Sequence, residues 1–341
     1  MPAIGYNYSP FDMKKVLILI FAAALAGCTS FHTSPGTKPA DQPPAKQVAF
    51  VIDDLPGVVF GLREASDKTG LNSLQMMNNR MVKAFNSYDV PAAGFVIEKQ
   101  VSILKSETDK RTALLELWLK KGLILGNHTF SHLDFNRTPV ATFKTEILNG
   151  EKHTVPLLAK YGQKQKYFRF PYNQTGPNDA ARNEIKAFLA TNGYVIVPYS
   201  LGNYDYVYDE VYKTALDNGD KELAKSTLKE YLDCTARMID FVEPACLKYV
   251  GHPVKHIFMM HLNDINAECM TDILDMLKDR GYSFITIDEA MTDDAYVPHK
   301  ELDGLTPIGW LRKNTQNTVP RPSEKTSNLC RIKGKKFAKN N

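Results

Sequence analysis

Short apolar runs alternate with longer amphipathic segments from residue 48 onward. The apolar runs that predict strands are residues 48–52, 93–97, 123–126, 167–170, 194–198, 257–261 and 283–287. The segments with helical periodicity are residues 74–86, 111–121, 140–160, 179–191, 221–248 and 267–280. This alternation is typical of parallel strands covered by helices. We therefore predict an α/β fold, a distorted (β/α) barrel of about seven parallel strands.

The first 46 residues follow a different pattern. A basic start at residues 13–15 precedes an apolar run over 16–25, and small residues then lead to Cys28. This is the layout of a secretory signal, and the run is shorter than the ~20 residues that cross a bilayer. The residues Leu-Ala-Gly-Cys that end at position 28 also resemble the lipobox of bacterial lipoproteins, whose cysteine becomes lipid-modified.

These features predict an upstream extension plus lipoprotein signal over residues 1–28 and a flexible tether over 29–46, which is rich in Ser, Thr, Pro and Lys. Cys28 is the expected lipid anchor to the membrane. We expect an exported protein, a periplasmic or outer-membrane lipoprotein of a Gram-negative bacterium. A plain signal peptide that contains a cysteine is the alternative.

Composition and charge narrow the function only slightly. With 43% hydrophobic and 23% charged residues, the 341-residue chain has a globular composition. The net charge is only +4, and the basic tail at 331–339 lacks the interleaved aromatic residues of a nucleic-acid surface. We therefore expect no nucleic-acid partner, and no obligate protein partner is evident. A catalytic barrel is predicted over residues 47–296, with a C-terminal extension and basic tail over 297–341.

Four cysteines follow the proposed anchor, and they are Cys234, Cys246, Cys269 and Cys330. An even number in an exported protein is compatible with one or two disulfides, and the sequence leaves the pairing open. Their spacing is not that of a zinc ribbon.

Two groups of polar residues at predicted strand ends have the chemistry of a metal site. Asp53 and Asp54 end the first strand, where buried carboxylates require a compensating cation. His128 and His132 follow the third strand, and their spacing places both imidazoles on one face of a helix. Asp54 and the two histidines together suit one divalent ion, zinc first, with cobalt, nickel or manganese as alternatives.

Two further strand ends complete an ordered set of motifs. Residues 169–172 read Arg-Phe-Pro-Tyr, and Met260 precedes His261. Together with Asp53-Asp54 and His-Thr-Phe-Ser-His at 128–132, this set closely resembles the polysaccharide deacetylase family, the NodB-homology domain of carbohydrate esterase family four. The resemblance covers about residues 47–296. It implies the distorted barrel of the glycoside hydrolase/deacetylase type.

The resemblance assigns a role to each matching position. Asp54, His128 and His132 match the metal ligands, and Asp53 matches the catalytic base. Arg169 matches the arginine that orients this base, and His261 matches the general acid that protonates the departing amine. Pro171 and Tyr172 match the motif whose tyrosine backbone N–H stabilises the oxyanion.

The remaining family motif, usually an aspartate followed by a tryptophan, is the weakest match. We assign it to Asp205 and Tyr206, with Asp205 as the partner that raises the pKa of His261 and Tyr206 in the substrate-binding wall. Asp264, which lies three residues after His261, is a rival partner.

The predicted function is a metal-dependent hydrolase that removes acetyl groups from N-acetylated sugars of a polysaccharide such as peptidoglycan, an exopolysaccharide or a chitin-like polymer. The same machinery cleaves esters, so an O-acetyl esterase acting on xylan or exopolysaccharide is the enzymatic alternative. An inactive glycan-binding lipoprotein and a structural envelope lipoprotein are the alternatives from other classes. The sequence does not specify the polymer, the metal, the oligomeric state or the choice of membrane.

Overall fold

The computed structural model describes residues 46–57, 70–296 and 320–329. The predicted signal segment, the tether up to residue 45 and the proposed anchor Cys28 lie outside the described residues. The C-terminal extension at 297–319 and the tail from 330, which includes Cys330, also lie outside them.

One sheet of eight strands, all parallel, forms the centre of the described region. The strands are β1 (Lys46–Leu55), β2 (Ala93–Val96), β3 (Ile124–Asn127), β4 (Tyr167–Phe168), β5 (Val195–Ile196), β6 (Leu201–Gly202), β7 (His256–His261) and β8 (Tyr282–Phe284). Their order is β5-β4-β3-β2-β1-β7-β6, and β8 pairs with the start of β1. Within the described residues no pairing joins β5 to β6, so the barrel is open there. The predicted distorted barrel of parallel strands is confirmed.

Helices connect and cover these strands. They are α1 (Leu71–Ser87), α2 (Glu98–Ser102), α3 (Thr108–Lys120), α4 (Val140–Asn149), α5 (Thr154–Lys160), α6 (Asp179–Thr191), α7 (Asp205–Asp217), α8 (Lys221–Val250), α9 (Asp264–Asp279) and α10 (Ile287–Ala290). None of the helices in the described ranges is long and apolar enough to cross a membrane.

The structure differs from the sequence-based prediction in several regions. Residues 128–132, where the spacing of His128 and His132 predicted one face of a helix, form a loop. The prediction was wrong because the backbone of Thr129 and of His132 is left-handed, which a right-handed helix does not permit. Helices α2 and α10 were not predicted either, and the last strand ends at Phe284 rather than at residue 287.

Three further differences concern longer helices and one short strand. The helix predicted over 140–160 is two helices, because α4 ends at Asn149 and is capped by Gly150, whose N–H donates to the carbonyls of Glu146 and Ile147. Strand β6 and helix α7 were not predicted. Strand β6 is only two residues long, which is too short to give an apolar pattern. Helix α7 is rich in Tyr and Val, which favour strands over helices.

The register of the sheet determines which polar residues meet. Strand β1 is buried from Val48 to Leu55, and its pairing with β7 places Asp53 opposite His261. Pairing of β3 with β4 places Asn127 opposite Phe168. Because all strands are parallel, their carboxyl ends lie at one edge of the sheet, and the chain segments that follow them converge there.

The disulfides that the cysteine count allows do not form among the described cysteines. Cys234, Cys246 and Cys269 are buried free thiols on α8 and α9. Burial raises the pKa of Cys246 and of Cys269 to about 12, which keeps these thiols protonated and unreactive.

Candidate active site

The side chains of Asp54, His128 and His132 meet at the carboxyl edge of the sheet. One ligand atom from each residue lies within 4.8 Å of the others. The Oδ1 atom of Asp54 is 3.4 Å from Nε2 of His128 and 3.3 Å from Nε2 of His132. Asp54 and His128 are almost completely buried, and His132 is partly exposed. The two imidazoles therefore face the same carboxylate oxygen.

This arrangement fits a divalent cation. Among the described residues, Asp54 Oδ1 is a buried oxygen without a hydrogen-bond partner. A buried carboxylate oxygen normally requires a hydrogen-bond donor or a cation. One carboxylate and two imidazoles form a mixed oxygen and nitrogen donor set of the kind that binds zinc and similar ions. The three predicted residues therefore fit a metal ion, because the buried Asp54 Oδ1 lacks a hydrogen-bond partner that a cation could replace.

The hydrogen bond made by Nδ1 of His128 leaves Nε2 available to bind a metal ion. Its Nδ1 lies 2.9 Å from the carbonyl oxygen of Arg169. Because a carbonyl only accepts, Nδ1 carries the proton and donates it to Arg169. In this tautomer the lone pair on Nε2 faces Asp54, as in metal sites whose histidines are oriented by a second hydrogen bond.

Electrostatics keeps the ligands in the protonation state that binds a cation. Burial by itself raises the pKa of Asp54, but the interaction with His128 and the neighbouring His261 and His132 hold it well below its ordinary value. Burial, and then the proximity of His128, lower the pKa of His132 to about 4. Near neutral pH, Asp54 is therefore ionised and His132 is neutral.

The backbone around the site is strained. Several non-glycine residues there have φ angles in the left-handed region, namely Asp54 (68°), Thr129 (68°), His132 (62°), Tyr172 (54°), Asn173 (55°) and Tyr204 (58°). Side chains disfavour this region, and such residues persist where the surrounding structure holds them in place. The strained positions coincide with the loops that carry the predicted ligands and the tyrosine.

Arg169 forms a buried ion pair with Asp53. Its Nε donates to Asp53 Oδ1 at 2.7 Å, and both side chains are almost completely inaccessible to solvent. The other guanidinium nitrogens donate to the carbonyls of Val197 and Pro198 and to Asn173 Oδ1. Every nitrogen of the guanidinium is therefore occupied, which fixes the orientation of the Asp53 carboxylate.

His261 pairs with Asp205 rather than with Asp264. Asp205 Oδ1 lies 2.9 Å from Nδ1 of His261, and Asp205 Oδ2 accepts the backbone N–H of His261 at 2.7 Å. Asp264 instead forms an ion pair with Lys213 at 3.3 Å. The rival partner considered from the sequence is therefore engaged elsewhere.

The charge of Asp205 is compensated by several donors besides His261. The backbone N–H of Tyr206 donates to Asp205 Oδ1, and the side-chain amides of Asn263 and Asn266 donate to Oδ2. Burial by itself lowers the pKa of His261, but Asp205, with smaller contributions from Asp54 and Asp53, raises it to about 10. His261 consequently holds a proton at neutral pH.

Two tyrosines border the site with exposed rings. Tyr172 is 56% exposed and its ring contacts the His132 imidazole edge-on, with centroids 4.5 Å apart. Tyr206 is 54% exposed and lies edge-on to His261 at 6.1 Å. Pro171, in contrast, is buried and begins the single turn that carries Tyr172. The predicted binding residues thus divide into two exposed rings and one buried turn-forming residue.

Sequence reasoning missed several residues that hold this site together. Two of them, Asn127 and Glu146, accept backbone N–H groups of the loop at 128–132, which carries the two histidines. Asn173 accepts a hydrogen bond from Arg169, and Asn266 donates one to Asp205. Asn127 and Asn173 adjoin the recognised motifs, so their position next to strand ends is a usable signal. Glu146 lies on α4, away from every motif, and no local pattern identifies it.

Comparison with known proteins found a matching family model. Residues 40–193 match the family model described as "Polysaccharide deacetylase". A search of curated proteins gave no match.

Three solved structures resemble the chain at low identity. A peptidoglycan deacetylase from Bacillus subtilis is 18% identical, with a TM-score of 0.42, over 74% of this chain and 92% of that chain. A family 4 carbohydrate esterase from Streptomyces lividans in complex with acetate is 13% identical, with a TM-score of 0.44, over 73% and 97%. A CE4 family pseudoenzyme from Bacillus anthracis is 14% identical, with a TM-score of 0.45, over 73% of this chain and 66% of that chain. At these values the structural likenesses do not bear on activity.

The raised pKa of His261 predicts a specific pH dependence of stability. Because the pKa is about 10 in the folded protein and about 6.5 when unfolded, the stabilisation is fully present below pH ~6.5. It is lost progressively as the pH rises towards 10. We expect His261→Gln to destabilise the metal-free protein most at pH 6, with the difference from wild type shrinking towards pH 10. Urea unfolding at pH 6, 8 and 10 in the presence of a chelator measures this.

The variant Asp205→Asn provides the matched comparison, because it removes the main cause of the raised pKa while leaving the imidazole in place. In this variant the His261 ring should titrate close to the ordinary histidine value in an NMR experiment. A destabilisation by His261→Gln that is equal at all three pH values would contradict the assigned ion pair.

Proposed function

We propose that this chain, whose residues 40–193 match the family model described as "Polysaccharide deacetylase", is a metal-dependent hydrolase that removes acetyl groups from N-acetylated sugars of a polysaccharide. The observation that carries this proposal is the unsatisfied buried Oδ1 of Asp54 between two imidazole nitrogens. Beside it lie an ion-paired carboxylate, Asp53, and a protonated histidine, His261. The reaction releases acetate and a free amino sugar.

Asp54, His128 and His132 would hold the metal. When bound, a divalent ion supplies Lewis acidity to the acetyl carbonyl and to water. We take zinc as the leading candidate because of the donor set, with cobalt, nickel and manganese as alternatives. Since Asp54 Oδ1 is the unsatisfied atom, this oxygen is the expected carboxylate ligand.

Asp53 is the proposed general base. It accepts the proton of the water molecule whose oxygen attacks the acetyl carbonyl carbon. The ion pair with Arg169 fixes the carboxylate in one orientation. The guanidinium makes four donor contacts within the protein, which hold it in place and leave it no free nitrogen for the substrate. Arg169 thus acts on the reaction through Asp53.

His261 is the proposed general acid. As the carbon–nitrogen bond breaks, the amine nitrogen takes a proton from the imidazole. Asp205 stabilises the imidazolium through the Nδ1 contact, which leaves Nε2 as the nitrogen that donates to the leaving group. In one turnover Asp53 gains a proton and His261 loses one, so the number of protons on the two groups is unchanged. Proton exchange with solvent then returns each group to its starting state.

Tyr172 and Tyr206 are proposed to contact the substrate. The backbone N–H of Tyr172 would donate to the oxyanion, and the left-handed φ of 54° orients this peptide. The exposed rings of both tyrosines offer apolar faces for sugar rings, and Pro171 positions the Tyr172 turn.

The proposal predicts chelator-sensitive acetate release. The purified protein is incubated with N-acetylglucosamine oligomers, peptidoglycan and acetylated xylan, before and after chelation and after adding zinc. We expect acetate from an N-acetylated glycan, loss of release on chelation and its recovery with zinc. Release from acetylated xylan alone would favour the esterase, and no stoichiometric metal in the protein would favour an inactive glycan-binding protein.

A substitution of the base tests the mechanism within this assay. Removing a general base typically costs a factor of about 10²–10⁴ in rate, so we expect Asp53→Asn to lose at least 100-fold while its metal content is retained. Asp240→Asn, which removes an exposed carboxylate that pairs with Arg280, is the matched control and should retain full turnover. Unchanged acetate release by Asp53→Asn would exclude the assigned role.

We also propose that the protein is exported and anchored through Cys28. Support comes from the basic start, the short apolar run and the lipobox-like residues that end at this cysteine. We expect metabolic labelling with a radioactive fatty acid to mark the wild-type protein but not Cys28→Ser. Equal labelling of the two proteins, or none of either, would contradict the anchor.

A further inference from the structure

The loop that carries the two histidine ligands, residues 128–132, is hydrogen-bonded at every backbone N–H. The acceptors, taken in order from His128 to His132, are Val96 O (3.0 Å), Asn127 Oδ1 (2.7 Å), Glu146 O (3.0 Å), Glu146 Oε2 (2.7 Å) and Thr129 Oγ1 (3.1 Å). Two of these acceptors belong to Glu146, which is remote from the loop in sequence. The conformation of the ligand loop therefore depends on the end of α4.

The carboxylate of Glu146 makes two bonds to one residue of this loop. Its Oε2 accepts both the backbone N–H of Ser131 at 2.7 Å and the Ser131 hydroxyl at 2.8 Å. Ser131 directly precedes His132, so these bonds fix the residue next to a proposed ligand.

Helix α4 also holds the other end of the loop. The side-chain amide of Asn127 donates to the carbonyl oxygen of Ile147 at 2.9 Å. The end of α4 packs closely against Asn127, since a Cβ atom added at Gly150 would lie only 2.6 Å from Asn127 Oδ1. The Ile147 carbonyl also accepts the N–H of Gly150 at 3.1 Å, so Asn127 shares this acceptor with the end of the helix.

The position of Glu146 is not explained by the stability of α4. A negative charge in the last turn of a helix opposes the helix dipole and is unfavourable there. Glu146 is only 9% exposed, and its carboxylate accepts from Ser131 of the ligand loop. Its hydrogen-bonding partners are on the ligand loop, so the role that remains is to hold that loop.

We propose that Glu146 is a positioning residue of the metal site, which acts by holding Ser131 and thereby the left-handed backbone of His132. This inference rests on the proposed function, because it assumes that His132 is a ligand. Residues that orient metal ligands typically contribute a factor of about 10–100 to metal affinity. Glu146 itself does not touch the ligand atoms.

The variants Glu146→Ala and Glu146→Gln separate the possibilities. Both loop bonds end on the single oxygen Oε2, and the amide oxygen of glutamine can accept the same two donors. We expect Glu146→Ala to weaken zinc binding by about 10- to 100-fold, and Glu146→Gln to restore it to within about threefold of wild type. Competition with a chromophoric chelator measures the dissociation constant, and the visible spectrum of the cobalt-substituted protein reports the ligand geometry.

Two further variants complete the test. Glu184→Ala removes an exposed carboxylate that pairs with Lys144 of α4, and it should bind zinc as wild type does. Ser131→Ala removes only the hydroxyl bond and should weaken zinc binding by about three- to tenfold. If Glu146→Ala does not fold, as judged by thermal unfolding without metal, then Ser131→Ala and Glu146→Gln decide the matter.

The outcomes separate this inference from the proposed function. Wild-type affinity in folded Glu146→Ala or in Ser131→Ala, or a loss in Glu146→Gln equal to that in Glu146→Ala, would overturn the positioning role while leaving the metal site standing. A wild-type protein that binds no zinc or cobalt would contradict the metal site itself, and with it the role of Glu146.

Discussion

Burial of three carboxylates at one end of the sheet is the constraint on which the site depends. Asp53, Asp54 and Asp205 are all 3% exposed or less, and a buried charge without compensation is strongly destabilising. Arg169 compensates Asp53, while His261 and several amide donors compensate Asp205. For Asp54 the protein provides two imidazoles but leaves Oδ1 without a donor. The three nearby histidines stabilise the ionised form of Asp54, and a cation bound there would give Oδ1 the partner that it lacks.

The parallel sheet brings these charges together, and irregular backbone gives them their final positions. Strand pairing places Asp53 beside His261, although they are far apart in sequence. Left-handed backbone at Asp54, Thr129, His132 and Tyr172 then directs side chains that a regular strand or helix would point elsewhere. Bonds from neighbouring elements, including those from Glu146, hold this strained backbone in place. The sheet thus determines which residues meet, and the surrounding helices determine their geometry.

The strand ends could be predicted from the sequence because a buried parallel strand is a continuous apolar run, and polar residues that interrupt it are conspicuous. For this reason the positions of Asp53, His128, Arg169 and His261 in the fold were predictable. Strand β6 was not, since two residues carry too little pattern. The sequence left Asp264 as a rival of Asp205, because only the tertiary structure brings Asp205 to His261 and Lys213 to Asp264. Glu146 was missed for the same reason.

The central claim is that Asp54, His128 and His132 bind one divalent cation. Anomalous diffraction from a crystal of the zinc-treated protein, recorded above and below the zinc absorption edge, tests it most directly. The claim predicts one strong anomalous peak within about 2.0–2.2 Å of Asp54 Oδ1 and of both histidine Nε2 atoms. A fully ordered site without such a peak, or a zinc ion bound only at other residues, would contradict it.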